Sequence, residues 1–359
     1  KLRALASYAF TNKAIKQSKH VVENSCLTMI AELRKREGEV NMLKFYQEFT
    51  LDVICKLALG QKDVQMFANP LMEMCRSIFY SPQNGPLTTL LQTVPVLKRP
   101  LLFLLRQLAR ISSFATLRTD VEREINERKR ARAAGSPSSG DFIDIFLDAE
   151  VDEMLEEHDA KANRKLVFEE IVAQCVVMLL AGFETTANSL AYLTHFLATH
   201  RDVQGRIRDE IDAVCTSQVI EYDELAELRY TEAAIKESLR HYPLASFVVS
   251  RECDKATTLG GVQIEVGDSV LTDSWSLHMD PAIWGPDASE FRPERWLEDA
   301  APSRAAFLSF GEGPRLCVGK RLALMEMKVM LVHLLRNFDV RATENTSPLK
   351  LVGTMTVAP

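Results

Sequence analysis

Apolar side chains return every three to four positions through most of the chain, the period of helices with one buried face. Residues 1–80 are predicted helical, and FYQEFTLDVICKLALG (45–60) is the clearest stretch. The opening, KLRALASYAFTNKAIKQSKH, predicts a helix, a turn at Thr11-Asn12 and a second helix. LLQTVPVLKRPLLFLLRQLA (90–109) is Leu-rich and Pro-broken. It reads as a buried or capping segment or, alternatively, as a loop pair on a membrane surface or over an apolar pocket. A long helical pattern then runs to ERKRAR (127–132), and GSPSSG (135–140) predicts a flexible linker. Residues 141–170 hold eleven acids against three bases and predict a solvated helix and loop rather than a metal site.

One helix of about 35 residues is predicted from Leu166 to His200, roughly 50 Å long and apolar nearly all round in its first half, hence central. Helices follow over Asp202–Cys215 and 222–243, where Pro243 blocks continuation. The pattern then switches to strands over 246–273, with Gly260-Gly261 as a hairpin signal, and a last helix covers Val318–Asn337. LKLVGTMTVAP, at the end of the chain, alternates like a strand. The fold class is therefore mainly α, with a small β-sheet portion, organised as one large helical domain over 1–359.

Composition narrows the classes. With 359 residues, 47% hydrophobic and 26% charged, the chain is neither collagen-like nor disordered. A net charge of −6 argues against a protein built to grip nucleic acid. The longest apolar run, Ile171 to Phe183, contains Gln174 and falls short of the ~18–20 residues of a membrane span. Seven scattered cysteines without a CxxC pair indicate neither a disulfide framework nor structural zinc. Both ends are expected to be truncated.

The most informative stretch is FLSFGEGPRLCVGKRLALMEMKVMLVHLL (307–335). Gly311, Gly313, Pro314 and Gly319 make a stiff turn that can lie against something flat. Cys317 ends it just before a helix, where backbone amides, the helix dipole and Arg315 favour a thiolate. A thiolate on a Gly-lined shelf suits the proximal ligand of a haem iron. The competing readings are an inert buried cysteine or a nucleophile, though the nearest histidines, His278 and His333, lie outside the loop.

AGFETT (181–186), ESLR (237–240), FRPERW (291–296) and FGEGPRLCVG (310–319) stand in a fixed order. In this order and spacing the whole chain resembles the cytochrome P450 family of haem-thiolate monooxygenases, and in 222–296 its animal microsomal branch. The resemblance implies a P450 fold holding heme b (iron protoporphyrin IX), with Cys317 as axial ligand and Phe310 shielding the sulfur beside Gly311 and Gly319. It implies a structural triad of Glu237, Arg240 and Arg295, and cations for the haem propionates from Arg251, Arg315 and Arg3. The family tryptophan that precedes Arg3 would fall before Lys1.

Within the central helix the resemblance makes Glu184 and Thr185 an acid–alcohol pair passing protons to bound O2, with Gly182 opening a groove for oxygen and water. The rival reading of Thr185 is a bond back to the carbonyl four residues earlier. Ala181, Phe183 and 244–249 would line a pocket for an apolar small-molecule substrate: a lipid, steroid or xenobiotic. Electrons would come from NADPH through a flavoprotein reductase, with cytochrome b5 as a further donor. Lys13, Lys16, Lys320 and Arg321 would form the docking face. The full-length protein would sit on the cytoplasmic face of the endoplasmic reticulum membrane; the family's anchor, early sheet and C-terminal end are expected to be missing here. The alternatives are a haem-thiolate isomerase or dehydratase, and an inactive fragment of such an enzyme.

Overall fold

The computed structural model describes residues 2–61, 65–80, 112–148, 166–245, 250–298, 304–352 and 356–359. The chain opens with α1 (Leu2–Ala6), a 3-10 turn (Ser7–Phe10) and α2 (Asn12–Leu33). Extended Thr11 separates them, and its hydroxyl accepts the Ala14 N–H as an N-cap. Asn41, Ser112 and Asp141 start α3 (Met42–Ala58), α5 (Ser113–Ala133) and α6 (Phe142–Leu147) in the same way. Helix α4 (Leu71–Tyr80) lies between them in sequence. The segment 90–109 lies outside the described residues, as does most of 141–170.

Two acids of that acidic stretch are not solvated. Asp141 and Asp144 are buried, and Arg128 of α5 lies 2.6 and 3.2 Å from their carboxylates. For these two the sequence expectation fails because the neutralising charges come from the preceding helix, whereas Asp148 and Glu169 are exposed as expected. Asp144 also accepts the Ser138 hydroxyl and the Gly140 N–H, at 3.0 and 3.2 Å, which ties down the end of the exposed 135–140 stretch.

Helix α7 (Phe168–Thr199) is the centre of the molecule and is the one described helix long and apolar enough to cross a membrane. Its closest partner is α3. A Cβ on Gly182 would stand 2.8 Å from Cδ1 and 2.9 Å from Cγ1 of buried Ile54. Gly182 therefore admits the neighbouring helix rather than opening a groove, which corrects the expectation from sequence. Gly182→Ala should lose about 1–3 kcal/mol by overpacking, read as a lower denaturant midpoint. Adding Ile54→Val, which removes the clashing Cδ1, should restore part of it.

After α8 (Arg201–Val214), the single helix predicted over 222–243 is split at Leu228 into α9 (Glu224–Glu227) and α10 (Arg229–His241). Glu210 of α8 accepts the N–H groups of Tyr230 and Thr231 at 2.7 and 2.8 Å, stabilising a new helix start there. Strand β1 (Ser250–Glu252) pairs antiparallel with β4 (Ser269–Leu271), and β2 (Thr257–Leu259) with β3 (Val262–Ile264). Gly260 and Gly261 turn the β2–β3 hairpin at φ +56° and +83°. Short helices α11 (Ser274–Met279) and α12 (Pro281–Trp284) follow, then α13 (Lys320–Asn337) packs beside α2. Of the strand pattern at the end, the described residues form a single bridge, Val352 to Ala358.

Candidate active site

Gly311 and Gly313 adopt φ +69° and +70°, conformations that a side chain resists, and fold the 307–319 loop back on itself. The Cys317 N–H donates to the Phe310 carbonyl at 2.8 Å and the Leu316 N–H to Gly313 at 3.0 Å. The loop is moored to α10 and α11: the Ser309 hydroxyl donates to the Leu239 carbonyl at 2.7 Å, and the Leu308 N–H to His278 Nε2 at 2.8 Å. Burial brings the His278 imidazole down to about 4, so it is neutral. With Nε2 accepting, its proton sits on Nδ1, 3.1 Å from the Arg240 carbonyl.

Cys317 is reachable by solvent but hemmed in by protein. Loss of bulk hydration raises its thiol above the ordinary value; the Gly319 and Lys320 amides and the Arg3 and Lys320 charges act against this without overcoming it. The helix-start amides thus act toward the thiolate, as the sequence reading has it, without outweighing burial in the bare protein, and Arg3 joins Lys320 as a cation acting on the sulfur. Phe310 is half-buried, with Lys320 Nζ 5.4 Å above its ring. Gly319 begins α13 with a Cβ position 3.6 Å from Phe10.

The guanidinium of Arg3 donates to the Leu316 carbonyl, which brings α1 to the cysteine loop. Arg251, on β1, donates to the carbonyl of its neighbour Ser250 at 2.7 Å. Arg251 and Arg315 are exposed, and among the described residues neither has a carboxylate in ion-pair range.

Along α7, Ala173, Val177 (52% exposed) and Ala181, with half-buried Thr185, form an open stripe on a largely buried helix. The Thr185 hydroxyl donates to the Ala181 carbonyl at 2.7 Å, the helix-internal bond considered from sequence. Glu184 is turned away, since neighbouring helix positions differ by about 100°. It is fully buried against α3 and α4, accepting from Gln47 Nε2 at 3.2 Å and from the Tyr80 hydroxyl. Burial pushes its carboxyl up, offset only in part by hydrogen bonds from Tyr80, Asn188 and Gln47. The structure does not bring Glu184 to the Thr185 hydroxyl. Ala245 and Leu244 are described, but 246–249 of the expected pocket lining lie outside the described residues.

Glu237, Arg240 and Arg295 do meet. Arg240 forks onto both Glu237 oxygens at 2.8 and 3.0 Å, and Arg295 Nε reaches Oε1 at 2.8 Å. Two further donors, the Trp296 indole at 2.9 Å and the Arg292 N–H at 3.0 Å, complete the carboxylate. Burial opposes ionisation, but His241, Arg240 and Arg295 overcome it and hold Glu237 well below the usual carboxylate range. Sequence reading missed Trp296, though it stands in the same FRPERW motif; it also missed His278, Gln47 and Tyr80, which carry no local signal.

The family model for cytochrome P450 matches residues 1–358. Cytochrome P450 CYP13A10 of Caenorhabditis elegans is 41% identical over all of this chain and 74% of its own length. CYP13A2 and CYP13A7 of the same organism are each 39% identical over the whole chain, which covers 73% and 74% of them. The family's cofactor is a haem with a cysteine thiolate ligand. The donor set fits it: one open thiol with two amides directed at its sulfur, the cations Arg251 and Arg315 without a carboxylate partner among the described residues, and an exposed apolar stripe on α7. Among the described residues no three His, Cys, Asp or Glu side chains converge on a metal instead. With a mostly helical fold and a small β portion, the chain belongs to the cytochrome P450 family of haem monooxygenases.

Proposed function

We propose that the enzyme hydroxylates an apolar lipid, steroid or xenobiotic, with electrons from NADPH through a flavoprotein reductase. The overall reaction takes RH, O2, NADPH and H⁺ to ROH, H2O and NADP⁺. Bound haem supplies the reductive activation of O2 and the insertion of one oxygen atom into a C–H bond. Cys317 would hold the iron through its sulfur, supported by the Gly319 and Lys320 amides, and ligation would overcome the cost of deprotonation. Arg3, Arg251 and Arg315 would hold the propionates. The apolar stripe at Val177 and Ala181 would keep the oxygen-binding side dry. The observation that carries the reading is this open thiol at the start of α13 in a chain matched end to end by the family.

Thr185 is the one hydroxyl on that stripe. Its Oγ1 would pass a proton into the oxygen side of the pocket, and Glu184, whose hold on its proton burial strengthens, would be the source, reached by a change of side-chain rotamer. That both Glu184 and Thr185 are kept in the AGFETT motif favours monooxygenation over isomerase or dehydratase chemistry, which needs no proton delivery to O2. The reductase, and cytochrome b5 as a further donor, would dock on the face carrying Lys13, Lys16, Lys320 and Arg321; Lys16 already makes a 3.5 Å pair with Asp223. An endoplasmic reticulum location, with the full-length protein on the membrane surface, remains part of the same proposal.

Thr185→Ala should convert most NADPH consumption into hydrogen peroxide, about a hundredfold less coupled than wild type. Peroxide formed per NADPH with reductase present measures it. Unchanged coupling would remove Thr185 from the proton path.

A further inference from the structure

Among the described residues, the hydrogen-bond partners of Glu184 are all neutral. Gln47 Nε2 and the Tyr80 hydroxyl bind its two oxygens, and Asn188, one turn along α7, makes the third contact. Around it, α3 presents Gln47; α4 presents Cys75, Arg76 and Tyr80; α7 presents Asn188 and Tyr192. Arg76 is engaged elsewhere, with Nε on the Gln47 oxygen at 2.9 Å and NH1 on Glu73 at 3.1 Å. Glu184 itself is closed to solvent, whereas Tyr80, the last residue of α4, is 37% exposed. Among these contacts Tyr80 alone is a hydroxyl that both touches the carboxyl and reaches the surface. An amide such as Gln47 or Asn188 orients a proton but does not relay one as a hydroxyl does.

We propose that Tyr80 is the proton entry to Glu184: the seam between α4 and α7, not the substrate side, refills the buried acid. This rests on the reading of Glu184 as the proton source for Thr185. When Glu184 has given up its proton, the Tyr80 O–H proton moves to Oε1 as a solvent hydronium ion delivers a proton to the tyrosine oxygen and leaves as water. One proton enters, the tyrosine ends as it began, and no electron moves. Tyr80 also donates to the ionised carboxylate, which favours that form.

Tyr80→Phe deletes one oxygen from a partly exposed ring and leaves the α4 packing in place. The measurement is infrared spectroscopy of the full-chain protein loaded with haem, with the Glu184 carboxyl band assigned by its loss in Glu184→Gln. In Tyr80→Phe the H/D exchange of that band should slow at least tenfold. The band should also persist about one pH unit higher, the size expected for a lost hydrogen bond to a charged group. A merely structural role would loosen the seam and speed exchange, so an unchanged or faster rate overturns the proposal. Exchange requires no turnover. A wild-type protein lacking the reduced, carbon-monoxide thiolate band would sink the monooxygenase reading separately, and the Tyr80 result would still be read.

Discussion

Cys317→Ser is expected to abolish the thiolate absorption band of the reduced, carbon-monoxide-bound protein and all NADPH-driven oxygenation. A serine hydroxyl in the same place does not ionise at neutral pH, so the iron would lose the electron donation that assists O–O cleavage. The loop itself should survive. Its closure depends on the Cys317 N–H to the Phe310 carbonyl and on Gly311 and Gly313 at positive φ, none of which uses the sulfur. The helical far-ultraviolet spectrum should therefore be retained while the band is lost. No other thiol can substitute: Cys26, Cys55, Cys75, Cys175 and Cys215 are buried. Burial pushes Cys75 and Cys175 up to about 12. Cys253 lies in the β region and engages the Lys255 carbonyl at 3.1 Å. A Cys317→Ser protein that kept the band would overturn the assignment of the ligand.

Helices α3, α7 and α13 were legible in the sequence because each carries a long apolar period, and caps such as Thr11 and Asn41 are local signals. The interruption at Leu228 was not, because the group that starts α10 is Glu210, in a different helix. The triad was legible because FRPERW and ESLR are contiguous motifs. Its link to the cysteine loop through His278 was hidden, because a neutral histidine bridging two backbone groups has no signature along the chain. Gly182 illustrates the same limit. A missing side chain reads equally as space or as close approach, and only the position of Ile54 decides it. For Glu184 and Thr185, adjacency in sequence suggested one paired device, whereas helix geometry sends them to different faces.

Glu237→Gln should produce the largest loss of stability. The substitution leaves the buried guanidiniums of Arg240 and Arg295 without their anion and points an amide N–H2 at groups that are themselves donors. Breaking a buried pair on one side costs ~3–5 kcal/mol, so the urea midpoint at pH 7 should fall steeply. Haem retention should fall with it. From Glu237 a continuous path runs through Arg240, whose carbonyl accepts from His278, and through His278 to Leu308 and the loop that closes on Cys317. Loosening the first link frees the last. The pH dependence follows from the same carboxylate. Its native-state value lies below its ordinary value of 4.5, so the folded state binds the proton more weakly than the unfolded chain does. That contribution is complete above the unfolded value and is lost as pH falls through the depressed native one. Glu232, lowered to about 2 by Lys236 and Lys328 against the effect of burial, adds loss in the same direction. Wild type should thus lose stability between about pH 4.5 and 2 more steeply than Glu237→Gln, and the gap between them should narrow on acidification. Parallel pH profiles would mean that the carboxylate is not ionised in the native state, and the charge argument for the triad would fail.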